Sequence, residues 1–225
     1  MEETSLPKTE LLSGYITIVT IVLGIVCFST FSYVDDNIDN LQNAILEFSE
    51  KSSLELVYLG ASILFLVSMV GMSALYLLVF RFYNPVLGSF VSFGFFASAV
   101  SMIISSSAAL SFYQLLGDFL LSTDYQSDMV AINMMSIFQL KMKSLMIAGT
   151  FFGLSMVFLS IVSYISSVMP LIVSLFNSIT GAALVYVTWQ IQSPLIIRLS
   201  IIFAAVSMLL AGIYLVIHSK KIKFQ

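Results

Sequence analysis

Six long apolar blocks divide this chain, and they limit its fold more than any other feature of the sequence. Each block holds roughly 20 to 28 residues, the length that a helix needs to cross a bilayer core of ~30 Å. Each is apolar on all sides rather than on one face, as a lipid-embedded helix should be. We therefore predict an all-α fold, a polytopic transmembrane helix bundle of six spans, at about 11–33, 56–80, 86–113, 144–168, 171–189 and 195–218.

Composition supports a single membrane domain covering residues 1–225. Only 9% of the residues are charged and 59% are hydrophobic, with a mean hydropathy of +1.04. Soluble domains carry about 25% charged residues and about 45–50% apolar ones, so these few charges cannot build a water-soluble surface. The sequence leaves no block for a separate soluble domain.

Two acidic connectors, at about 34–55 and 114–143, are predicted to lie outside the membrane as amphipathic helical segments. Residues of one kind recur in each at steps of three and four, which is typical of a helical face. The simplest interpretation is a cap lying on the bundle or on the lipid interface, and the alternative is a lid over a ligand site. The recurring residues are the apolar Ile38, Leu41, Ile45 and Phe48 in the first segment, and the polar Asn133, Ser136, Gln139 and Lys143 in the second.

Lysine and arginine counts predict the orientation in the cell membrane. With the N-terminus inside, five basic residues are cytoplasmic and four are external. The basic tail Lys220, Lys221 and Lys223 is the strongest cue, and an even number of spans then places both termini in the cytoplasm.

Several chemistries lack the residues they need. The middles of the spans hold no Asp, Glu, Lys, Arg or His, which argues against a proton- or ion-coupled pump. The single cysteine, Cys27, and the single histidine, His218, cannot form a bis-His haem site, a Cys₄ cluster or a His-rich metal site. His218 is interpreted as an interfacial residue beside the basic tail.

The remaining sequence signals also argue against calcium binding, nucleophilic catalysis and nucleic-acid binding. The stretch at 35–40 begins like a calcium loop, but Asn40 and Leu46 stand where that loop needs Gly and Glu. No G-x-S-x-G nucleophile motif is present, and the net charge of −3 does not favour nucleic-acid binding. We therefore expect no metal, no cofactor, no nucleic-acid partner and no enzymatic activity.

Small residues recur along the spans, where they allow helix backbones to approach closely. The alternative is a neutral polar path for a small solute, with Asn177 facing inward because an amide in hydrocarbon must find partners inside the bundle. The candidate packing residues are Ala97, Gly149, Gly153, Ala182 and Ala204, and the candidate pocket residues are Ser101, Ser105, Asn177 and Ser178.

Phe151-Phe152-Gly153-Leu154, followed by Pro170 at the start of the next span, resembles a family of bacterial and archaeal six-span membrane proteins of unknown function. The likeness covers most of the chain. In that family a histidine often follows the Phe-Phe-Gly-Leu motif, where this chain has Ser155. The resemblance implies a fold and no established activity.

Two functions remain open. The first is an accessory or scaffolding subunit of a membrane complex, whose partners are membrane lipid and other membrane subunits or a second copy of the chain. The alternative is a small-solute or lipid transporter or channel with a neutral polar pocket around Asn177. Spans 2–3 and 4–5 form similar short-turn hairpins, as a repeat-built transporter would, although any helical hairpin of this kind looks much the same.

Overall fold

A computed structural model of the protein describes residues 6–35, 52–121, 124–190 and 194–222. These residues form helices throughout, apart from two short turns at Asn84 and at 166–170. The helices of the described residues are α1 (Leu6–Asp35), α2 (Ser52–Tyr83), α3 (Pro85–Leu121), α4 (Asp124–Ile165), α5 (Leu171–Gln190) and α6 (Pro194–Ile222). The predicted all-α class is confirmed.

Each of these helices holds a stretch long and apolar enough to cross a membrane. The stretches are Lys8–Val26, Ser62–Tyr83, Pro85–Ala108, Met135–Ile165, Leu171–Gln190 and Leu199–Lys220. The predicted count of six spans agrees with this finding, and the chain is a multi-pass membrane protein.

Proline stands at the start of α3 and of α6, at Pro85 and Pro194, and directly before α5, at Pro170. α3 begins at Pro85, whose missing N–H costs nothing in the first turn of a helix. The Asn84 side chain accepts a hydrogen bond from the Leu87 amide at 3.0 Å and so caps that turn. α5 begins one residue after Pro170, and the turn before it places Ser167 at a positive φ of 55°.

The helices form a closed ring in which each packs against its neighbours in the chain and α6 returns to α1. Glu10 near the start of α1, Tyr83 at the end of α2 and His218 near the end of α6 are in contact, so these ends share one side of the bundle. We refer to that side as the termini end and to the opposite side as the hairpin end.

Large side chains fill the interior of the ring. The Tyr76 ring lies edge-on to Phe80 and Phe95, with centroids 5.6 and 5.5 Å apart. The Phe95 ring makes a similar contact with Phe152 at 5.2 Å. Four fully buried methionines, whose flexible side chains fill irregular gaps, belong to the same core: Met69, Met72, Met156 and Met208.

Every interface of the ring carries a hydrogen bond between its two helices. In lipid, packing and such bonds hold helices together, because hydrocarbon chains are as apolar as the helices themselves. The bonds are Thr17–Tyr76 for α1–α2, Ser73–Ser92 for α2–α3, Ser98–Ala148 for α3–α4, Ser160–Ser174 for α4–α5, Ser207–Asn177 for α5–α6 and His218–Glu10 for α6–α1.

At the hairpin end, α3 and α4 continue far beyond α5. Gly153 of α4 faces Gly181 of α5, so nine residues further towards the hairpin end, Gln190 at the end of α5 lies level with Ser144. The 20 residues of α5 give a helix whose length equals the thickness of a bilayer core, ~30 Å. Residues 124–143 of α4 therefore extend about 30 Å past the end of α5.

The continuation of α3 and α4 differs from the prediction of a separate amphipathic segment at 114–143. No proline lies between Pro85 and Pro170, so neither helix has a proline to break it there. The polar residues Asn133, Ser136, Gln139 and Lys143 are exposed, but so are the apolar Ile132, Met135, Phe138 and Leu140 between them. Seven described side chains of 132–140 are exposed and Ile137 is half-buried, and this part of α4 continues the spanning helix without a break. Of the first predicted segment, 34–55, residues 36–51 lie outside the described residues.

Candidate functional site

Two pairs of polar side chains join α1 to α2 inside the bundle. The Tyr83 hydroxyl donates to Glu10 Oε1 at 2.5 Å, and the Tyr76 hydroxyl lies 2.9 Å from Thr17 Oγ1. Both pairs are separated by seven residues on each helix, so they lie on one face of α1 and on one face of α2. This polar line runs from the termini end towards the middle of the bundle.

Glu10 is the centre of the first candidate site. Its carboxylate is fully buried, and its second oxygen, Oε2, lies 3.1 Å from His218 Nδ1. A buried carboxylate is tolerated when its oxygens are paired, and here one oxygen meets α2 and the other meets α6. The cluster Glu10–Tyr83–His218 therefore ties α1, α2 and α6 together.

Glu10 was not among the residues predicted from the sequence, because it lies near the start of the apolar block beside other N-terminal acids. A signal was present in the spacing: Glu10, Ser13, Thr17 and Thr20 recur at steps of three and four and are all buried. That stripe marks the inward face of α1. His218 has an exposed side-chain fraction of 25% and is bound to this buried carboxylate, a role that the interfacial interpretation did not include.

The second candidate site surrounds Asn177 on α5, which is fully buried as predicted for an amide in a span. Ser207 of α6 donates a hydrogen bond to Asn177 Oδ1. One turn away, Ser160 of α4 donates to the carbonyl oxygen of Ser174 at 2.6 Å. The Asn177 side chain therefore lies where α4, α5 and α6 meet.

Three donors at this meeting point have no protein hydrogen-bond partner within the described residues: Ser163 Oγ, Ser174 Oγ and Asn177 Nδ2. All three side chains are at least 97% buried. Buried polar groups are almost always paired, so a group of three unpaired donors on neighbouring helix faces requires an explanation. The site is donor-rich and holds no ionisable side chain among the residues named for it.

The four predicted pocket residues do not form one cluster. Ser105 of α3 donates to the carbonyl oxygen of Lys141 near the hairpin end of α4, and Ser101 is one turn from it and buried. Asn177 lies level with about residue 157 of α4, roughly 24 Å away along the helix axis. Ser178 is half-buried beside Asn177.

Only some of the predicted packing residues lie in contacts between helices. Gly149 packs against the Thr188 side chain and Gly153 against Gly181, both on α5, while Ala204 on α6 is buried. Ala97 is half-buried and Ala182 is exposed. On α5 the close contact is made by Gly181, the neighbour of Ala182.

Among the described residues, no three His, Cys, Asp or Glu side chains are grouped so that they could hold a metal ion. No family model, no curated protein and no solved structure matches the chain. The resemblance to the six-span family remains a prediction from the Phe-Phe-Gly-Leu motif and Pro170.

Proposed function

We propose that this protein is a non-catalytic accessory subunit of a complex in the cell membrane, and that the projecting parts of α3 and α4 are its docking element. We define this arm as residues 109–121 of α3 and 124–140 of α4. Both termini are placed in the cytoplasm in this proposal, so the arm lies outside the cell.

One observation supports the proposal: apolar side chains of the arm are exposed past the level at which α5 ends. The exposed fraction is 63% for Ile132, 64% for Met135 and 50% for Leu140. Exposed apolar side chains at the level of α5 are explained by lipid, but these three lie on the far side of Ser144. Large exposed apolar patches in water mark surfaces that another protein covers.

Charge indicates what kind of partner fits. From 114 to 131 the sequence holds three aspartates, Asp118, Asp124 and Asp128, and no lysine or arginine. Two copies of the chain joined through their arms would bring these like charges together, which disfavours association. The proposed partner is therefore another membrane protein whose external helical segment has an apolar face with basic residues at its edge.

A photo-crosslinking amino acid at Met135 tests this directly in the native membrane. Its matched control is the same amino acid at Ile179 of α5, which has a similar exposed fraction of 66% but lies at the depth of the bilayer. We expect a discrete protein adduct from position 135 and lipid adducts from position 179. Lipid adducts alone at position 135 would contradict the proposal. Adducts with a second copy of the chain would show self-association through the arm and would contradict the proposed heterologous partner.

A substitution identifies the contact as apolar. Met135→Glu places a charge on the arm without disturbing the core, because the side chain is mostly exposed. In this variant the photo-crosslinking amino acid is moved from position 135 to Ile132. We expect the crosslinked partner to be lost, while the melting temperature of the purified protein stays unchanged.

A further inference from the structure

The unpaired donors around Asn177 form a line rather than a scattered set. Ser160 of α4 is bonded to Ser174 of α5, and at this antiparallel register Ser163 lies level with the start of α5 and Asn177 lies level with about residue 157. Ser174 and Asn177 are three residues apart, so they share one face of α5. The three donors therefore span about 9 Å along the bundle.

This line begins beside the turn that joins α4 to α5. The carbonyl oxygen of Ser163 accepts hydrogen bonds from the amides of Val168 and Met169 in that turn. Ser167 in the turn is exposed and Ser166 is half-buried. Polar side chains thus follow one another from the surface at the termini end to Asn177 and Ser207.

The chemistry of the line selects its ligand. A hydroxyl or amide donor left without a partner inside the bundle is strongly disfavoured. Three such donors spread over about 9 Å therefore favour small molecules that accept hydrogen bonds. None of Ser160, Ser163, Ser174, Asn177 and Ser207 is ionisable, so no side chain of this set would compensate a buried ion. The ligand class is therefore small and neutral.

We propose that Ser163, Ser174 and Asn177 form a binding site for neutral hydrogen-bonding molecules of the size of water, which enter from the termini end beside the α4–α5 turn. Ser207 holds the Asn177 amide in place by donating to Oδ1, which leaves the amide N–H groups for the ligand. This site is separate from the arm, and it does not depend on the proposed partner.

Thiol reactivity tests whether water reaches the site. In a Cys27→Ala background, Ser163→Cys and Ser174→Cys are treated with methyl methanethiosulfonate, which reacts with the thiolate that forms where water is present. Ser98→Cys is the matched control, because Ser98 is also fully buried but its hydroxyl is bonded to the carbonyl oxygen of Ala148. We expect at least one of the two test variants to react tenfold or more faster than the control.

A second measurement uses the sign of a stability change and requires no cysteine. In a dry site, Ser174→Ala removes an unpaired hydroxyl and raises the melting temperature, whereas in a site filled by water it removes a bonded one and lowers the melting temperature. We expect a lower melting temperature. Rates within tenfold of Ser98→Cys for both cysteine variants, or a raised melting temperature for Ser174→Ala, would overturn the proposal.

Discussion

Gly153 and Gly181 face each other where α4 crosses α5, and neither position has room for a side chain. A Cβ atom on Gly153 would lie 2.5 Å from the carbonyl oxygen of Gly181, and a Cβ atom on Gly181 would lie 2.5 Å from that of Gly153. α1 and α6 repeat the arrangement, since a Cβ atom on Gly14 would lie 2.7 Å from the carbonyl oxygen of Gly212. Two interfaces of the ring therefore depend on backbone-to-backbone contact.

The first prediction follows from this contact. Gly153→Ala should lower the free energy of unfolding by about 1–3 kcal/mol, because the added methyl group forces the two backbones apart. The opposing backbone carbonyl cannot rotate away as a flexible side chain could. Thermal unfolding in detergent, followed by the loss of monodisperse protein, measures the effect.

Gly71→Ala is the matched control. A Cβ atom at Gly71 would meet only the end of the Ile16 side chain, at 3.3 Å, and alanine is favoured over glycine in a helix by about 1 kcal/mol. We expect this variant to be as stable as the wild type or more stable. An equal loss of stability in both variants would show that the Gly153–Gly181 contact has no special role.

The sequence predicted one side of this interface better than the other. Gly149 and Gly153, predicted as packing residues, lie on the face of α4 that contacts α5. On α5 the predicted packing residue was Ala182, whereas Gly181 makes the contact. Small residues occur at both neighbouring positions, and the spacing alone does not tell which of them faces a partner helix and which faces lipid.

Charged and exposed features were harder to predict, for physical reasons. The burial of Glu10 depends on Tyr83 and His218, which are distant in sequence, so its local context resembles any acidic N-terminus. The exposed sides of the arm depend on where its neighbours stop: Gln190 ends α5 while α4 continues towards Asp124. Hydropathy fixes how many helices span the membrane, but relative lengths appear only when the helices are aligned.

The second prediction concerns the serines that join neighbouring helices. Ser98→Ala and Ser160→Ala each remove one interhelical hydrogen bond and should each cost about 0.5–1.5 kcal/mol of stability. Their bonds lie roughly 18 Å apart along α4, so the double variant should show the sum of the two losses within about 0.5 kcal/mol. Chemical denaturation in mixed micelles measures both.

Ser89→Ala serves as the control for this series. The Ser89 hydroxyl is exposed and donates to the carbonyl oxygen of Pro85 in its own helix, so its loss should change stability by less than about 0.5 kcal/mol. A double variant of Ser98 and Ser160 that is no less stable than either single variant would argue against independent interhelical bonds.

The third prediction separates the arm from the bundle. Replacing residues 110–136, which is a matched cut because Ser105 of α3 pairs with Lys141 of α4, by a short Gly-Ser linker should leave the melting temperature within about 3 °C of the wild type. The buried side chains of the described parts of α3 and α4 lie at Ala108 and before, and at Lys141 and beyond. Co-purification of the crosslinked partner should be lost. A variant that fails to insert or melts far earlier would place the arm in the folding core.

The fourth prediction tests the cluster Glu10–Tyr83–His218, which joins α1, α2 and α6. Glu10→Leu leaves the Tyr83 hydroxyl and His218 Nδ1 without their partner and should lower the free energy of unfolding by about 1–3 kcal/mol. Glu10→Gln should lose less than half as much, because an amide can accept from Tyr83 and donate to the imidazole. In a double-mutant cycle, Glu10→Leu and Tyr83→Phe should be coupled by about 0.5–3 kcal/mol. Tyr164→Phe, at an exposed tyrosine of α4, should show no coupling with Glu10→Leu, and equal coupling in both cycles would mean that Glu10 acts through general stability rather than through its bond to Tyr83.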